Sequence, residues 1–187
     1  MSESVYDFTQ YVADLRRICR EEVEDKKIVQ RVAPLAQKLA RTPDLIKEKF
    51  YQCDEEQGFA FHLLHEEEDH SNAVFVIAWL PNRGTPAHNH KTWGVVVGME
   101  GEERETWWQR VDDGSKPGFA KLKRETEVTM GPGQVSCVLP EDIHTVWNET
   151  DKVSLSLHTY GKHINFTGRS EFDPENKTEK QYLVAIR

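Results

Sequence analysis

The stretch from Pro81 to Gly101 reads PNRGTPAHNHKTWGVVVGMEG, with two histidines separated by one residue at its centre. Successive side chains of an extended strand alternate between faces, so His88 and His90 point the same way. Because histidine is the commonest metal ligand among side chains, this pair makes half of a metal site. A bare His-x-His is more often a surface or loop pair. Here a Gly/Pro-rich turn precedes the pair and an apolar strand follows it, which favours the metal site.

A second stretch, residues 131–148, reads GPGQVSCVLPEDIHTVWN. The pattern predicts a tight Gly-Pro-Gly turn, a strand, a Pro-Glu-Asp turn and then His144 at the start of another strand. The turns on either side fix where this third histidine points.

This two-part pattern resembles the cupin superfamily, whose fold is a double-stranded β-helix, or jelly-roll barrel. In that superfamily the first motif supplies two histidines and usually a glutamate, and the second motif supplies one more histidine. The glutamate position falls here near Gly94 and Val95. The resemblance therefore implies a metal site of His88, His90 and His144 without a carboxylate. Three neutral imidazoles on a divalent metal leave a net positive charge, which suits an anionic substrate.

Bulk composition bounds the remaining possibilities. A chain of 187 residues predicts one domain, residues 1–187, with enough length for a sizeable core. The formal charge of −8 argues against nucleic acid or an anionic membrane as partner. With no long apolar run and no signal peptide, we expect a soluble cytoplasmic protein. The three cysteines, Cys19, Cys53 and Cys137, form no disulfide or zinc pattern, and we predict that Cys137 lies in the core.

The first fifty residues have helical spacing and are predicted to cap one end of the barrel. One helix is expected from Val5 to Cys19 and another from Asp25 to Leu39, with Pro34 weakening or kinking it. A third, Leu45 to Phe50, is predicted to begin at a Thr42-Pro43-Asp44 cap.

Residues 58–187 are predicted to form the barrel and a C-terminal extension. The acidic turn Glu66–Asp69 is interpreted as a solvated loop, and His62, His65 and His70 as ordinary surface or strand residues. The expected strands before the last motif are Phe59–His65, Ala73–Leu80, Glu103–Arg110, Leu122–Met130 and Val135–Leu139.

The stretch from Val153 to Gly161 carries the third motif. Ser156, His158 and Tyr160 lie at alternate positions of one predicted strand and therefore share a face. Their hydroxyl, imidazole and phenol groups can form a hydrogen-bonded chain. A solvent-facing polar strand is the alternative, but inside a closed barrel with a metal the polar face is expected to point inward.

Together, the three motifs resemble the cysteine dioxygenase family of thiol dioxygenases, over roughly Phe59 to Asp173. That family binds ferrous iron, Fe(2+), through three histidines and has a Ser-His-Tyr chain beside the metal. It converts a thiol and O2 to a sulfinic acid. The resemblance implies that His88, His90 and His144 hold iron and that Ser156, His158 and Tyr160 form the catalytic chain. The implied partners are a small-molecule thiol and O2, and a homo-oligomer is left open.

Three departures from the family bear on the substrate. The cysteine that mammalian-type members crosslink to the tyrosine is replaced by Gly94, as in bacterial 3-mercaptopropionate dioxygenases, so no thioether is expected. The carboxylate-binding Arg or Gln of the early strand falls near Phe61, which cannot bind a carboxylate. Arg169 stands where the bacterial enzymes also have an arginine, and Arg83 is a second cationic candidate. A mercapto acid is therefore favoured over cysteine.

Two other classes of function remain open from the sequence. Cupins include diketone-cleaving dioxygenases, and they also include modules that bind a metal or a small molecule without catalysis. A binding module has no need of the Ser156, His158 and Tyr160 row. For Arg169 the alternative is a surface arginine paired with Glu171 or Asp173.

Overall fold

The computed structural model describes residues 6–42 and 45–186. Two α-helices, α1 and α2, precede twelve β-strands in these residues. The helices are α1 (Phe8–Glu21) and α2 (Asp25–Ala40), and the strands are β1 (Phe59–His65), β2 (Ser71–Trp79), β3 (Arg83–Gly84), β4 (Ala87–His88), β5 (Gly94–Glu100), β6 (Glu103–Arg110), β7 (Leu122–Met130), β8 (Val135–Val138), β9 (Ile143–Asn148), β10 (Ser154–Lys162), β11 (Ser170–Asp173) and β12 (Thr178–Gln181).

The N-terminal region is helical, as predicted, with differences in detail. Helix α1 begins after Asp7, whose carboxylate accepts a hydrogen bond from the Gln10 N–H at 2.8 Å. Helix α2 continues through Pro34 to Ala40. The predicted third helix is wrong in extent, since the structure has only a 3₁₀ turn at Glu48–Tyr51. Its proposed cap residues Pro43 and Asp44, like Val5, lie outside the described residues.

The strands form two antiparallel sheets. The first has the order β1-β2-β10-β5-β8, and the second has the order β12-β11-β4-β9-β6-β7 with β3 added on β9. The central strands β2, β10 and β5 are buried on both faces. Strands β2 and β5 are nearly continuous in apolar residues, whereas β10 carries buried polar residues between its leucines.

The outer face of the first sheet packs against the two helices. Tyr11, Leu15 and Ile18 of α1 belong to one core with residues of β2, β5 and β10. The Tyr11 hydroxyl also hydrogen-bonds the Thr159 hydroxyl of β10 at 2.6 Å. The helices therefore cover a sheet face, whereas the sequence predicts that they cap the end of a barrel. Their apolar faces match the apolar residues that alternate strand positions present outward.

The inner faces of the two sheets share a second core. Phe59, Phe75 and Trp79 of the first sheet pack in one cluster with Val146 of the second. A mainly β fold of two antiparallel sheets with N-terminal helices is thus confirmed, whereas closure into a jelly-roll barrel stays a prediction. No helix within residues 6–42 and 45–186 is long and apolar enough to cross a membrane.

Cys137 corrects one prediction about the core. It lies on β8, an edge strand, where Ser136 and Val138 are buried and Cys137 between them is exposed. The apolar sequence of this strand did not reveal its alternation, because serine takes one of the inward positions.

Candidate metal centre

The three predicted ligands come together in the second sheet. His88 ends β4, His90 follows it, and His144 lies on β9 directly opposite His88 in the antiparallel register. Each side chain is at most 4% exposed. Their candidate ligand atoms all lie within 4.8 Å of one another. The structure therefore brings the three predicted ligands into one buried group that could bind a metal.

The protonation of the group suits a metal. The Nδ1 of His88 lies 3.0 Å from the Pro86 carbonyl oxygen, which can only accept, so Nδ1 carries the proton and Nε2 is left for a ligand. Burial, followed by the charge of neighbouring histidines, lowers the pKa of His88 and His90 well below the ordinary value. Neutral imidazole is the form that binds metal ions.

Unpartnered nitrogens mark the place for a ligand. The Nδ1 of His90 and both ring nitrogens of His144 are buried without a hydrogen-bond partner among the described residues. Such atoms are rare in folded proteins and require an explanation. A bound divalent transition metal would satisfy those aimed at the centre, and imidazole suits iron, zinc, copper and nickel.

Glu105 lies next to His144, one of the three predicted ligands, and no sequence motif pointed to it. Its Oε1 lies 3.6 Å from Nδ1 of His144, slightly beyond hydrogen-bond distance. Its Oε2 accepts a hydrogen bond from the Ser136 hydroxyl at 2.7 Å. A carboxylate behind a histidine ligand commonly orients the ring and raises its basicity.

The Ser-His-Tyr row points into the same interior. The Ser156 Oγ lies 2.9 Å from Nε2 of His158, and Nδ1 of His158 lies 2.8 Å from the Tyr160 hydroxyl. All three side chains are at most 3% exposed, so the solvent-facing alternative is wrong. The Tyr160 ring stacks on His90, with ring centroids 5.1 Å apart and planes 24° apart. The row therefore ends beside the histidine group.

Two further residues extend this row, and sequence reasoning missed both. The indole N–H of Trp79 donates to Ser156 Oγ at 3.0 Å. The carboxyl group of Glu103 lies 3.1 Å from the same oxygen and 3.3 Å from Ser154 Oγ. Trp79 reaches Ser156 through the pairing of β2 with β10, and Glu103 reaches it from β6 of the other sheet. No sequence motif encodes this arrangement.

Gly94 lies directly opposite Tyr160 in the pairing of β5 with β10. A Cβ atom at this position would stand 2.8 Å from the Tyr160 ring and 2.8 Å from a methyl of Val138. The glycine therefore makes room for the tyrosine ring. It also has no sulfur, and the absence of a thioether on Tyr160 stays a prediction.

Arg169 is buried, and its surroundings exclude the surface alternative. Its side chain is 2% exposed, and Nε and Nη2 have no hydrogen-bond partner among the described residues. Glu171, the first candidate partner, pairs instead with Lys180 at 2.8 Å. Asp173 accepts hydrogen bonds from the Glu175 and Asn176 backbone. A buried guanidinium without a carboxylate partner is costly, because burial disfavours the charge and lowers its pKa.

Tyr182 connects Arg169 to the histidine group. The guanidinium carbon lies 4.2 Å from the centroid of the Tyr182 ring. That ring in turn lies 5.4 Å from the ring of His88. The Tyr182 hydroxyl is buried without a partner among the described residues, and burial raises its pKa to about 12, so it is a neutral donor. This residue follows the last strand, and no motif pointed to it.

The structure does not bring Arg83 to the same place. Its Nη2 donates to the Glu56 carbonyl at 2.7 Å, and its side chain lies against Gly58. On the sheet Arg83 is paired with Asn148, four residues along β9 from His144. At about 3.3 Å per residue this is roughly 13 Å. A substrate-binding role for Arg83 stays a prediction.

The other early histidines have local partners. His62 lies 3.0 Å from the Gln52 carbonyl, His65 lies 2.9 Å from Glu67, and His70 stacks on Phe166. Glu67 also binds Arg16 of α1 at 2.6 Å. The acidic turn is thus tied to the helix layer and is not simply solvated.

No protein-family model matches the chain. Among solved structures, a conserved protein with a double-stranded β-helix domain from Klebsiella pneumoniae is 10% identical, with TM-score 0.48, over 71% of this chain and 99% of that one. Oxalate oxidase in complex with glycolate is 15% identical, with TM-score 0.46, over 65% and 62%. DMSP lyase DddQ from Ruegeria pomeroyi is 17% identical, with TM-score 0.47, over 71% and 58%.

The chain therefore spans less than two thirds of the oxalate oxidase and of the lyase. At these TM-scores the likenesses carry no argument about activity. The strand order and the buried side chains define the class: a mainly β protein of two antiparallel sheets with a candidate three-histidine metal centre.

Proposed function

We propose that this chain is a cupin-type, iron(II)-dependent thiol dioxygenase that acts on a small mercapto acid. The reaction is R–SH + O2 → R–SO2H, in which both oxygen atoms of O2 are transferred to sulfur. The observation that carries the proposal is the arrangement of two tyrosines and a buried arginine around the three-histidine group. The three-histidine group has Tyr160 against His90 on one side, and through Tyr182 it reaches the unpaired Arg169.

The metal-binding part of the proposal rests on His88, His90 and His144. Bound there, ferrous iron would supply a Lewis acid that lowers the pKa of a thiol and a redox-active centre for O2, which zinc cannot supply. The three ligands are neutral imidazoles, so the centre keeps its positive charge. Negatively charged substrates are favoured for that reason.

Arg169 and Tyr182 would hold the substrate carboxylate. A guanidinium can make two parallel hydrogen bonds to a carboxylate, which fixes orientation as well as charge. The Tyr182 hydroxyl, buried and without a partner among the described residues, supplies another donor beside it. A bound carboxylate would satisfy Nε and Nη2 of Arg169 and neutralise its buried charge. This explains why the fold retains an arginine at so costly a position.

Tyr160 would act on the reacting end of the substrate. Burial raises the pKa of its phenol well above the ordinary value, so the group stays protonated. His158, hydrogen-bonded to it at 2.8 Å, fixes the direction of the hydroxyl. The tight burial of the row and the ligands excludes bulk water, which strengthens each of these polar interactions.

The substrate class follows from the charges. A molecule with a thiol at one end and a carboxylate at the other fits a cationic metal centre next to a cationic arginine. Cysteine adds an ammonium group, and Glu171, the acidic residue whose charge acts on Arg169, is already paired with Lys180. We therefore rank 3-mercaptopropionate and mercaptosuccinate above cysteine, and cysteine above cysteamine.

The test is oxygen consumption by iron-reconstituted protein with five compounds: the two mercapto acids, cysteine, cysteamine and acetylacetone. Zinc-loaded protein is the matched control. We expect O2 uptake and an equal amount of sulfinate with a mercapto acid, with both atoms of labelled O2 in the product. Turnover of acetylacetone alone would favour a diketone-cleaving dioxygenase. Inactivity of the iron form with every thiol would overturn the proposal.

The proposed reaction also indicates the partners and the compartment of the protein. Its partners would be a thiol and O2, without nucleic acid or membrane, in keeping with the net charge of −8. A reducing compartment such as the cytoplasm would suit a thiol substrate, and none of the three cysteines forms a disulfide. Whether the chain forms a homo-oligomer is a question for size measurement in solution.

A further inference from the structure

The hydroxyl of Ser156 has three hydrogen-bond partners. Trp79 Nε1, Glu103 Oε2 and His158 Nε2 lie 3.0, 3.1 and 2.9 Å from Ser156 Oγ. A serine hydroxyl offers one proton and two lone pairs. The indole N–H can only donate, so it occupies one lone pair. One lone pair and one proton are left, and either Glu103 or His158 receives the proton while the other must donate.

This count allows two arrangements of the row when His158 is neutral. If Glu103 is protonated on Oε2, the oxygen that faces Ser156, it donates to Ser156, and Ser156 donates to Nε2 of His158. The proton of His158 is then on Nδ1 and is donated to the Tyr160 oxygen, which leaves the Tyr160 proton for a partner elsewhere.

If Glu103 is ionised, every direction reverses. Ser156 donates to the carboxylate, and Nε2–H of His158 donates to Ser156. Nδ1 of His158 then accepts the proton of Tyr160. The phenol now turns its proton away from the metal centre and offers only lone pairs to it.

We propose that Glu103 is a positioning residue whose protonation selects the tautomer of His158, and so decides whether Tyr160 donates a hydrogen bond into the metal centre. The consequence for turnover rests on the proposed function. The link between Glu103 and the tautomer does not, because it follows from the hydrogen bonds of Ser156 and from a Glu103 proton on Oε2.

The surroundings of Glu103 favour the donating arrangement at neutral pH. Its side chain is buried between β6 and β10, where it contacts Ser154 and Ser156. Burial raises its pKa to about 8, Ser156 opposes the shift, and the charge of Glu105 adds to it. Burial also lowers the pKa of His158 to about 3, so this ring is neutral throughout.

The raised pKa of Glu103 determines how the hydrogen bond from Tyr160 changes with pH. Below the pKa of Glu103 the carboxyl group is protonated and Tyr160 donates. As the pH rises through about 8, the carboxyl group ionises, the row reverses, and the donation is lost. The charge of Glu105 raises the pKa of Glu103, so it favours protonation of Glu103 and does not change the direction of the effect.

The test reads the tautomer without any turnover. Zinc-loaded protein with 15N-labelled histidine is titrated by NMR from pH 6 to pH 10, and His158→Gln assigns the signals. We expect the proton of His158 on Nδ1 at the low end and on Nε2 at the high end. A tautomer that does not change over the titration, in a protein that stays folded, would overturn the proposal.

Two variants and a control sharpen the result. Glu103→Gln keeps a donor toward Ser156 and an acceptor toward Ser154 but cannot ionise, so His158 should hold the proton on Nδ1 at every pH. Ser156→Ala cuts the connection, and the tautomer should stop responding to pH. Glu102→Gln changes the exposed neighbouring residue, and in this control the His158 tautomer should change with pH as in the wild type. Continued switching in Glu103→Gln would contradict the assignment, and so would continued switching in Ser156→Ala if Glu103→Gln does not fold.

The pH dependence of kcat provides a second, independent test. In iron-loaded protein, kcat for the best thiol should fall as the pH rises through about 8 in the wild type and not in Glu103→Gln. Absence of thiol turnover would sink the proposed function and leave the NMR result to decide the role of Glu103. Equal high-pH losses in both proteins would contradict control of catalysis by Glu103.

Discussion

Two neighbouring parts of the interior differ in whether their buried polar groups have hydrogen-bond partners. In the Ser-His-Tyr row, the side chains of Ser156, His158 and Tyr160 each have a partner within 3.1 Å. Beside it, nitrogens of His90, His144 and Arg169 are buried without one among the described residues. Each unsatisfied buried group costs about 1–3 kcal/mol, so the fold does not keep several of them for stability.

Under the proposed function, this difference in hydrogen bonding separates two kinds of residue. Groups that are already paired can hold a neighbour in position, and unpaired groups are left to bind a ligand. Charge divides the same way, since the row is neutral when Glu103 is protonated and the other part carries the guanidinium of Arg169. We expect mutations in the two parts to have different signatures.

The largest effect is expected from the unpaired histidines. His144→Ala removes one of three ligands, and turnover should fall by more than about 100-fold, because even the loss of an outer partner costs roughly 10–100-fold. Iron content after reconstitution, measured together with O2 uptake, checks this. His65→Ala, at a histidine paired with Glu67, is the control and should keep its iron. Normal iron content in His144→Ala would remove the proposed centre.

Arg169 should give the next largest effect, and a selective one. Arg169→Ala loses two charge-assisted hydrogen bonds at about 1.5–3 kcal/mol each, so kcat/KM for a mercapto acid should fall about 100-fold or more. Cysteamine, which has no carboxylate, should be affected far less. Arg169→Lys should also be impaired, because lysine cannot form the fork. Equal losses across all thiols would mean that Arg169 acts on folding or on the metal.

Tyr160 should show a smaller loss at constant metal content. Tyr160→Phe deletes one hydrogen bond at the reacting end, which we expect to lower kcat roughly 10- to 100-fold. Tyr11→Phe is the matched control, since Tyr11 is an equally buried tyrosine bonded to Thr159 on the other face of β10. It should lose some stability and keep its activity. Wild-type turnover in Tyr160→Phe would make the row a structural feature.

The smallest effects are expected in the free energy of unfolding, where a substitution in the Ser-His-Tyr row and one at Arg169 should differ in sign. Ser156→Ala leaves Trp79 Nε1 and its other partners unsatisfied, so urea unfolding should show a loss of about 1–3 kcal/mol. Arg169→Met removes an unpaired buried charge and should be neutral or stabilising. A loss as large as that of Ser156→Ala would mean that Arg169 is paired in solution.

The groups that repeat or alternate along the chain could be predicted from the sequence. His88 and His90 share a face because of their spacing, and Ser156, His158 and Tyr160 for the same reason, and the structure confirms both alignments. The position of His144 was marked by the turns around it. These features depend on local geometry alone.

The missed residues depend on contacts between segments that are far apart in the sequence. Glu103 meets Ser156 across 53 positions of sequence, and Trp79 meets it across 77. Tyr182 lies in the C-terminal segment, and only the fold places it beside Arg169 and His88. The burial of Arg169 excludes the surface ion pair, which the sequence left open beside a carboxylate-binding role.

Strand β10 has a consequence for how this protein can evolve. Its residues from Ser154 to Tyr160 are all buried, with one set of alternate positions against the helices and the other in the Ser-His-Tyr row. On β7, by contrast, the residues from Lys123 to Thr129 are exposed. Neutral substitutions can therefore accumulate along β7 and hardly at all along β10. Two descendants of a common ancestor could lose most of their identity and still be aligned on that one strand.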